Sequence, residues 1–529
     1  STGTRVNEDY LIEDVPYNAI NFSEDFTQWS LNGDSVVLQD ETYLGRPIYK
    51  LTEASSSTLG VHQTRTGNMV GLPYTISLIA KKDTSSFIRL RFGSPINKNV
   101  DFNLETGVVT SESSGVTGAI QNIGNGFYQL SSVLASLTNA TISYAIYSSN
   151  GSVFITSAQM VKGDKLKDYL KTTDRLDIPR IDYTNGEPSI LLEPSRTNVI
   201  PYSQDFSQWT VDGEASISSD SIISPEGIQN SDKLIAGTTS GRQAIKLSST
   251  NSGNLSFSIF AKKGEYSVIQ LSDAKDGSAF ANFNLDTGAV GSTGVYTASI
   301  VNIGNDWYRC KISWNASLSI VAIRVGIVTT ATSARVEQFA GNGSDGLYIY
   351  GAQLEEGSYA TSLIHTSGSA VTRSADAANN AANSDLISST EGVLYAEIKA
   401  LADDLTFRAI ALSDGTFDNR VLIRYRNSSD NINVLIEANN VPILNQLYQM
   451  IDITNYSKIA FRYKSGDISL YVDGQEVFSS TTTFSSLSLD RLNLDGGTGA
   501  DDFYANVKSV MVFKEALTDL ELAKLTGYN

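Results

Sequence analysis

The chain of 529 residues carries 39 Lys and Arg against 57 Asp and Glu, a formal net charge of −18 at pH 7. This length suffices for three or four domains that each bury a core. The negative charge, which no cluster of Lys and Arg offsets, argues against nucleic acid and anionic membranes as partners, and the absence of an apolar run of roughly 20 residues argues against membrane insertion.

The composition favours strands over helices. The 41 glycines and 25 tyrosines, with many Ser, Thr and Asn residues, indicate strands joined by tight turns, so we predict an all-β protein. The two histidines, His62 and His365, stand at non-equivalent places, which argues against a histidine-based triad or a zinc site. The one cysteine, Cys310, falls in a strand-like run and is predicted to be a small buried hydrophobe.

The first third of the chain begins with an irregular segment and continues with strand patterns. Residues 1–20 carry no strong periodicity and are predicted to be an arm whose order depends on a partner. Residues 21–173 are predicted to be one domain. Apolar strand patterns lie at residues 74–80, 87–92, 142–147 and 153–158. Short strands separated by turn formers at this spacing are typical of a β-sandwich.

The second third of the chain repeats the first. The run N-F-S-E-D-F-T-Q-W at 21–29 returns as Y-S-Q-D-F-S-Q-W at 202–209. F-N-L-E-T-G at 102–107 returns as F-N-L-D-T-G at 283–288. A repeat of this length is too large for a solenoid unit, so residues 199–366 are predicted to be a second copy of a whole domain.

Two less regular segments flank the second copy. Residues 174–198 contain three of the ten prolines and are predicted to be an extended connector packed on its neighbours. Residues 367–390 are rich in Ser, Ala and Asn, with little to bury, and are predicted to be a linker.

Residues 391–529 form a further β domain that is not a third copy. Strand patterns lie at residues 393–398, 408–412, 421–425, 432–436, 459–463, 468–472 and 505–513. The run T-D-L-E at 518–521 is a capping box, which predicts one short helix that ends at Gly527.

Several motifs of the second copy resemble a domain of bacteriophage virion proteins. They are S-Q-D-F-S-Q-W at 203–209, N-I-G-N-D-W-Y-R-C at 302–310, Y-G-A-Q-L-E-E-G at 350–357 and S-A-V-T-R-S-A-D at 369–376, with the lead-in I-L-L-E-P-S-R-T-N at 190–198. That domain is similar to carbohydrate-binding modules of jelly-roll shape. The resemblance covers residues 181–377 well and the first copy less well, and it implies two duplicated jelly-roll β-sandwiches.

The C-terminal region resembles a different family. L-Y-V-D-G-Q at 470–475 and V-F-K-E-A-L-T-D-L-E at 512–521 are similar to laminin-G-like and concanavalin-like lectin sandwiches. The resemblance implies a lectin-like β-sandwich with one short C-terminal helix. It is specific for the fold and leaves the ligand open.

The duplicated aromatic pairs are the first candidate sites. Trp29 and Trp209, each following an Asp-Phe pair, would offer flat faces to a sugar. The alternative is that Phe and Trp fill the core of each sandwich while Asp caps a turn. The core interpretation is favoured because large aromatic residues dominate cores, and Trp29 and Trp209 remain candidates for glycan binding.

The strand that begins at Trp307 gives a second candidate. Alternation puts Tyr308, Cys310, Ile312 and Trp314 on one face, and Trp307, Arg309 and Lys311 on the other. If the first set forms the core, Trp307 is exposed beside two cations, as in a glycan platform or a protein contact. Alternatively, Trp307 covers a neighbouring hairpin or stacks on Arg309, which is the favoured reading because single surface aromatics are common.

The loop at residues 490–502 concentrates oxygen atoms among glycines. Asp495, Asp501 and Asp502 are candidate ligands for calcium. The loop lacks the regular spacing of an EF-hand, and a solvated turn is the favoured alternative.

No motif indicates an enzyme, since no phosphate-binding loop, nucleophile elbow or zinc motif is present. We therefore hypothesise a phage virion surface protein, made in the host cytoplasm, that adheres to host or environmental glycans as a tail fibre or a head decoration. Residues 1–20 would attach it to other virion proteins, and a fibre would be a homotrimer although no heptad run supports one. A purely structural cement protein and a polysaccharide depolymerase are the alternatives.

Overall fold

The computed structural model describes residues 3–15, 17–53, 60–66, 73–136, 141–149, 151–174, 180–184, 186–316 and 321–527. These residues form 40 β-strands, two 3₁₀ turns and one α-helix, which confirms the predicted all-β class. The chain divides into two compact units, a smaller one of residues 16–178 and a larger one of residues 1–15 and 179–529. Among the described helices, none is long and apolar enough to cross a membrane.

The N-terminal segment is a hairpin that packs on its own chain. β1 (Thr4–Val6) pairs antiparallel with β2 (Ile12–Asp14). Val6 and Ile12 are buried in one apolar cluster with Trp307 of the second copy. The expectation of an arm over residues 1–20 that needs a partner for its order is therefore corrected, because these apolar side chains find a core within the larger unit.

The first copy is a β-sandwich of eleven described strands. They are β3 (Ser35–Tyr43), β4 (Arg46–Thr52), β5 (Val61–Thr66), β6 (Tyr74–Lys82), β7 (Phe87–Phe92), β8 (Lys98–Asn103), β9 (Val108–Glu112), β10 (Val116–Gly124), β11 (Phe127–Leu134), β12 (Thr141–Ser148) and β13 (Ser152–Lys162). One sheet has the order β10-β11-β6-β13-β4-β3 and the other β5-β12-β7-β8-β9. Alternating side chains such as Ile76, Leu78, Leu90 and Phe102 form the core between them.

The connector and the second copy follow in the larger unit. Their strands are β14 (Ile181–Asp182), β15 (Ser189–Leu191), β16 (Arg196–Asn198), β17 (Thr210–Val211), β18 (Ser216–Ile223), β19 (Gln229–Ile235), β20 (Gly241–Ser249), β21 (Gly253–Lys262), β22 (Val268–Asp273), β23 (Phe280–Asn284), β24 (Ala289–Thr293), β25 (Thr297–Asn302), β26 (Trp307–Ala316), β27 (Val321–Ile327), β28 (Gln338–Phe339) and β29 (Gly346–Glu356). The sheets have the orders β25-β26-β21-β29-β19-β18 and β17-β20-β27-β22-β23-β24, with β28 beside β20. The strand order of the first copy returns in both sheets, as a duplicated domain requires.

The segment predicted to be a linker is packed into the larger unit. β30 (Val371–Arg373) pairs antiparallel with β16 of the connector. Ile387 is buried in the core of the C-terminal domain, and Ala381 bridges to Leu492. The prediction of a linker with little to bury at residues 367–390 therefore needs correction, because a few apolar and charged side chains in this polar run find buried partners.

The C-terminal domain is a sandwich of two sheets closed by the one described α-helix. Its strands are β31 (Glu391–Ala400), β32 (Arg408–Ser413), β33 (Arg420–Tyr425), β34 (Asn431–Ala438), β35 (Val441–Gln449), β36 (Ser457–Lys464), β37 (Ile468–Val472), β38 (Gln475–Ser480), β39 (Arg491–Asn493) and β40 (Ala505–Phe513). The orders are β14-β15-β40-β31-β36-β37-β38 and β35-β34-β33-β32-β39, so the connector extends the first sheet. Thr518 and Glu521 form the predicted capping box of α1 (Asp519–Thr526).

Candidate functional site

The tryptophans of the duplicated motif lie in the cores of their modules. Trp29 is 4% exposed and Trp209 is 5% exposed. Each indole nitrogen donates to a backbone carbonyl, that of Phe22 at 3.1 Å and that of Tyr202 at 3.2 Å. Neither ring offers a face to a sugar, and the core interpretation of this motif is confirmed.

The aspartates of the same motif cap the 3₁₀ turns Phe26–Gln28 and Phe206–Gln208. The carboxylates of Asp25 and Asp205 accept from the backbone nitrogens of Thr27 and Ser207, both at 3.1 Å. The motif is therefore explained by core filling and turn capping in both copies.

Trp307 is not exposed. Alternation along β26 does place it opposite Cys310, which is fully buried in the module core. The ring itself is 2% exposed, because Val6 and Ile12 of the N-terminal hairpin cover it together with Phe260. Trp307 thus covers a hairpin, as the favoured interpretation predicted, and the candidate role of an exposed platform for a glycan is wrong.

Arg309 and Lys311, on the same face of β26, line a cavity of about 270 Å³. This junction cavity lies within the larger unit, where the N-terminal hairpin, the connector, the second copy and the C-terminal sandwich meet. Arg309 donates from Nη2 to Ser258 Oγ at 2.9 Å and to the Thr361 carbonyl at 2.6 Å. The two cations predicted from the sequence are therefore brought together at a cavity and not on an open surface.

The environment of the junction cavity disfavours the charged form of its lysine. Burial, followed by the charge of Arg309, lowers the pKa of Lys311 to about 7. Burial also lowers the pKa of Arg309 and that of Lys399, which lines the same cavity. A desolvated ammonium beside other cations gains more from an anion than it would in water.

A second candidate surface, the outer face, is the side of the five-stranded sheet that points away from the C-terminal core. Residues such as Val421, Ile423 and Ile436 point into the core, so the alternate residues point outward. We define the outer face by Ala411, Arg420, Leu422, Arg424, Asn433, Leu435, Glu437 and Asn445. Its apolar floor is a separate cluster of Ala411, Leu422 and Leu435, which is buried beneath the longer side chains. Arg420, Asn433 and Glu437 are buried as well, so Asn445 and part of Arg424 are what this face presents to solvent.

Polar side chains frame this floor in a connected set. Arg420 Nε lies 2.6 Å from Glu437 Oε2. Arg424 Nε donates to Asn433 Oδ1 at 2.9 Å, and Asn433 Nδ2 donates to Asn445 Oδ1 at 2.8 Å. Burial, followed by the charge of Arg426, lowers the pKa of Arg424. Donors and acceptors are thus held in fixed positions at the edge of an apolar patch.

Aromatic rings border the outer face. The ring of Phe417 is stacked by the Arg420 guanidinium at 4.6 Å and is 46% exposed. The ring of Phe407 is approached by Arg424 at 5.0 Å and by Arg426 at 4.9 Å. These contacts orient the arginines and leave one aromatic ring open to solvent.

The acidic loop lies at the border of the outer face, where its carboxylates already have partners. Asp495 is 1% exposed and accepts from the backbone nitrogens of Gly497 at 2.5 Å and Gly499 at 3.2 Å. Asp502 accepts from Tyr504 Oη at 2.7 Å, and Asp501 lies 3.7 Å from Arg424 Nη1.

These contacts make the loop a structural turn. Burial raises the pKa of Asp495, as expected for a carboxyl group inside a turn. Among the described residues, no group of three His, Cys, Asp or Glu side chains could hold a metal ion. Calcium binding by Asp495, Asp501 and Asp502 stays a prediction. In the structure the three carboxylates contact backbone nitrogens, Tyr504 and Arg424.

The outer face was not predicted from the sequence, although part of its signal is visible there. The run R-V-L-I-R-Y at 420–425 alternates, which places Arg420, Leu422 and Arg424 on one side of a strand. Their partners Asn433 and Glu437 come from the neighbouring strand, whose register determines the pairing. Periodicity predicts the side and does not predict the register.

A family model described as the concanavalin A-like lectin/glucanases superfamily matches residues 373–523. The C-terminal domain is therefore a concanavalin A-like sandwich, which confirms the fold expected from its motifs. A comparison with curated proteins gives no match.

Three solved structures illustrate what the fold is similar to. The CBM40 domain of a Ruminococcus gnavus IT-sialidase, bound to α2,3-sialyllactose, is 12% identical over 28% of this chain and 94% of that chain, with a TM-score of 0.24. The tandem CBM22 domains of Paenibacillus barcinonensis Xyn10C are 11% identical over 65% and 97%, with a TM-score of 0.23. Domains LG4-5 of the mouse laminin α1 chain are 9% identical over 53% and 90%, with a TM-score of 0.20.

Proposed function

We propose that this protein is a bacteriophage virion surface protein that adheres to glycans through the outer face of its C-terminal sandwich. The observation that carries the proposal is the exposed Asn445 on the outward side of a concanavalin A-like sheet, held beside Arg424 by the buried Asn433. The exposed ring of Phe417 borders the same side.

The chemistry of this surface suits a sugar. Sugar hydroxyls both donate and accept hydrogen bonds, and the exposed amide of Asn445 can serve them, while the buried Asn433 holds Asn445 and Arg424 in position. Because Asn433 links Arg424 to Asn445, the groups are positioned before a ligand arrives, which lowers the ordering cost of binding. The ring of Phe417 adds an apolar face against which a sugar ring packs.

Support for the virion role comes from the motifs of the second copy and from the duplication. Rigid sandwiches repeated along one chain, and many copies on one particle, multiply weak contacts into firm adhesion. The role is adhesion on a tail fibre or head decoration, without cleavage of the glycan. Attachment of residues 1–20 to other virion proteins and a homotrimeric assembly stay predictions.

The binding test uses the full chain on a glycan array. Phe417→Ala and Asn445→Ala both change exposed side chains, so the fold is expected to survive. We expect each variant to lose at least tenfold in affinity for the bound glycans. Lys464→Ala is the matched control, because it removes an exposed charge, paired with Glu391 at 3.1 Å, from the other sheet. No glycan signal from the folded protein, or equal binding by all variants, would contradict the proposal.

The virion role has its own test. Labelling intact particles with antibodies against this chain, followed by electron microscopy, should place it on the outside of the tail or head. Incubation of the protein with host polysaccharide should release no reducing ends. Burial of the whole chain against the capsid would favour a cement protein, and released sugar would favour a depolymerase.

A further inference from the structure

Cationic side chains outnumber carboxylates in the wall of the junction cavity. Lys311, Arg309 and Lys399 all line it. Arg5 also lines it but is paired with Glu13 at 2.7 Å. Lys399 has contacts of its own, among them the Tyr456 ring at 5.0 Å, so Lys311 and Arg309 of the second copy are the cations that the cavity wall offers.

The two carboxylates of the cavity wall are engaged elsewhere. Glu193 accepts from Arg373 Nη1 at 2.8 Å and from the Ser362 backbone nitrogen at 2.8 Å. Asp182 accepts from the Val6 backbone nitrogen at 2.9 Å and from that of Thr184 at 3.1 Å. Their negative charge offsets only part of the cationic wall.

Lys311 is the residue that this arrangement leaves without a counter-ion. It is half-buried, and no residue in the described parts of the chain accepts a hydrogen bond from its ammonium or pairs with it. Arg309 Nε is buried and likewise finds no acceptor among the described residues. A cation that is partly withdrawn from water without a counter-ion is costly, so an anion beside Lys311 and Arg309 would stabilise both side chains.

The remaining wall is apolar. Phe260, Ile303 and Leu363 line the cavity beside the cations. A volume of about 270 Å³ is more than a single inorganic ion fills. A bare inorganic ion would leave most of this apolar wall in contact with water, whereas an organic body would cover it.

We propose that the junction cavity binds a small organic acid, with its carboxylate held by Lys311 and Arg309 and its carbon skeleton against Phe260 and Ile303. The carboxylate accepts from the Lys311 ammonium, while the Arg309 guanidinium, held by Ser258 and Thr361, supplies a second positive charge beside it. This site is separate from the outer face and does not depend on it.

Calorimetric titration of the full chain at pH 6.5 tests the site. The ligands are sodium acetate, benzoate, glucuronate and N-acetylneuraminate, with methyl glucoside as the uncharged control and inorganic phosphate as the bare anion. We expect at least one carboxylate to bind with 1:1 stoichiometry, and methyl glucoside not to bind. Absence of binding by all four carboxylates, or phosphate binding as tightly as the best carboxylate, overturns the proposal.

Variants tie the binding to the cavity. Lys311→Met keeps the apolar stem and removes the charge, and it should weaken carboxylate binding at least tenfold. Lys464→Met, on the surface of the C-terminal sandwich, should leave it unchanged. A folded Lys311→Met protein, verified by its thermal unfolding, that binds the carboxylate as tightly as the unmodified protein also overturns the proposal.

The outcome is distinguishable from that of the glycan test. Phe417→Ala should abolish glycan binding on the array and leave carboxylate binding intact, while Lys311→Met should do the reverse. A loss of both activities in either variant would mean that the two sites are one, which contradicts the separate assignment of the cavity.

Discussion

Arg373 donates from Nη1 to Glu193 Oε2 at 2.8 Å, across 180 residues of sequence. Arg180 Nη1 reaches the same oxygen at 2.8 Å, and its Nη2 lies 2.5 Å from Asp376 Oδ2. Burial raises the pKa of Glu193, but the charges of Arg180 and Arg373 and the hydrogen bonds from Ser362 outweigh it and hold the pKa at about 2. This network fastens the connector to the segment after the second copy.

Glu193→Gln should destabilise the larger unit strongly. The change leaves Arg180 and Arg373 buried with only the Asp376 carboxylate. Breaking a buried ion pair from one side costs about 3 to 5 kcal/mol. Urea unfolding with the two units resolved measures the loss, and Glu187→Gln, exposed on the same connector, is the control. Equal stability of the two variants would show that the network contributes little.

The lowered pKa of Glu193 predicts that the larger unit loses stability in acid. The folded pKa of Glu193 is about 2 and its ordinary value is 4.5. The unfolded chain therefore binds more protons between these values, so the stability from Glu193 is present above pH 4.5 and is lost as the pH falls toward 2. Unfolding free energies measured from pH 6 to pH 2 should fall more steeply for the unmodified protein than for Glu193→Gln. Parallel curves would contradict this assignment.

Local signals in the sequence were sufficient for much of the fold. The capping box at Thr518 and the strand patterns of the C-terminal domain depend on neighbours in the chain, and the structure has them where they were predicted. β35 was missed, since Pro442 and the many exposed positions of this edge strand weaken its pattern.

Long-range contacts account for the errors in the candidate site. Alternation gives only the side of the strand on which Trp307 lies, so an open platform and a cover over a hairpin were both possible for it. The hairpin that covers Trp307 lies about 300 residues earlier in the sequence, so the periodicity of β26 does not predict this contact. For the same reason Arg309 and Lys311 were found as cations on one face, while the cavity that they line could not be predicted.

Trp307→Ala should release the N-terminal hairpin. Replacing a buried Trp by Ala in a core costs about 3 to 5 kcal/mol, and here the ring packs against Val6 and Ile12. We expect a lower unfolding midpoint of the larger unit and faster proteolysis within residues 3–15. Trp314→Ala, at a half-buried position of the same strand, is the comparison and should leave the hairpin protected. Equal protection in both variants would argue against this packing.

Calcium should have little effect on the acidic loop. The Asp495 carboxylate already accepts from two backbone nitrogens, and Asp502 from Tyr504. A calcium ion needs six to eight oxygen ligands, so it would have to break these contacts. Thermal unfolding in 5 mM calcium and after chelation should therefore give the same midpoint to within roughly 1 °C. A clear stabilisation by calcium, lost in Asp501→Asn, would instead establish the metal site.

The lowered pKa of Lys311 predicts that the stability of the protein rises with pH. Its pKa is about 7 in the folded protein against an ordinary 10.5, mainly because of burial and then because of Arg309. Between these values the unfolded chain binds the extra proton, so raising the pH from 7 to 10.5 removes a cost that is fully present below pH 7. Lys399 adds to the repulsion at this position, while Asp182 and Glu193 reduce it.

Lys311→Met should therefore be more stable than the unmodified protein at pH 6, and the difference should shrink toward pH 10. The measurement belongs in buffers without carboxylates, because a bound organic acid would restore the lysine charge and flatten the pH dependence. A constant difference across this range would mean that Lys311 is as well solvated as a surface lysine.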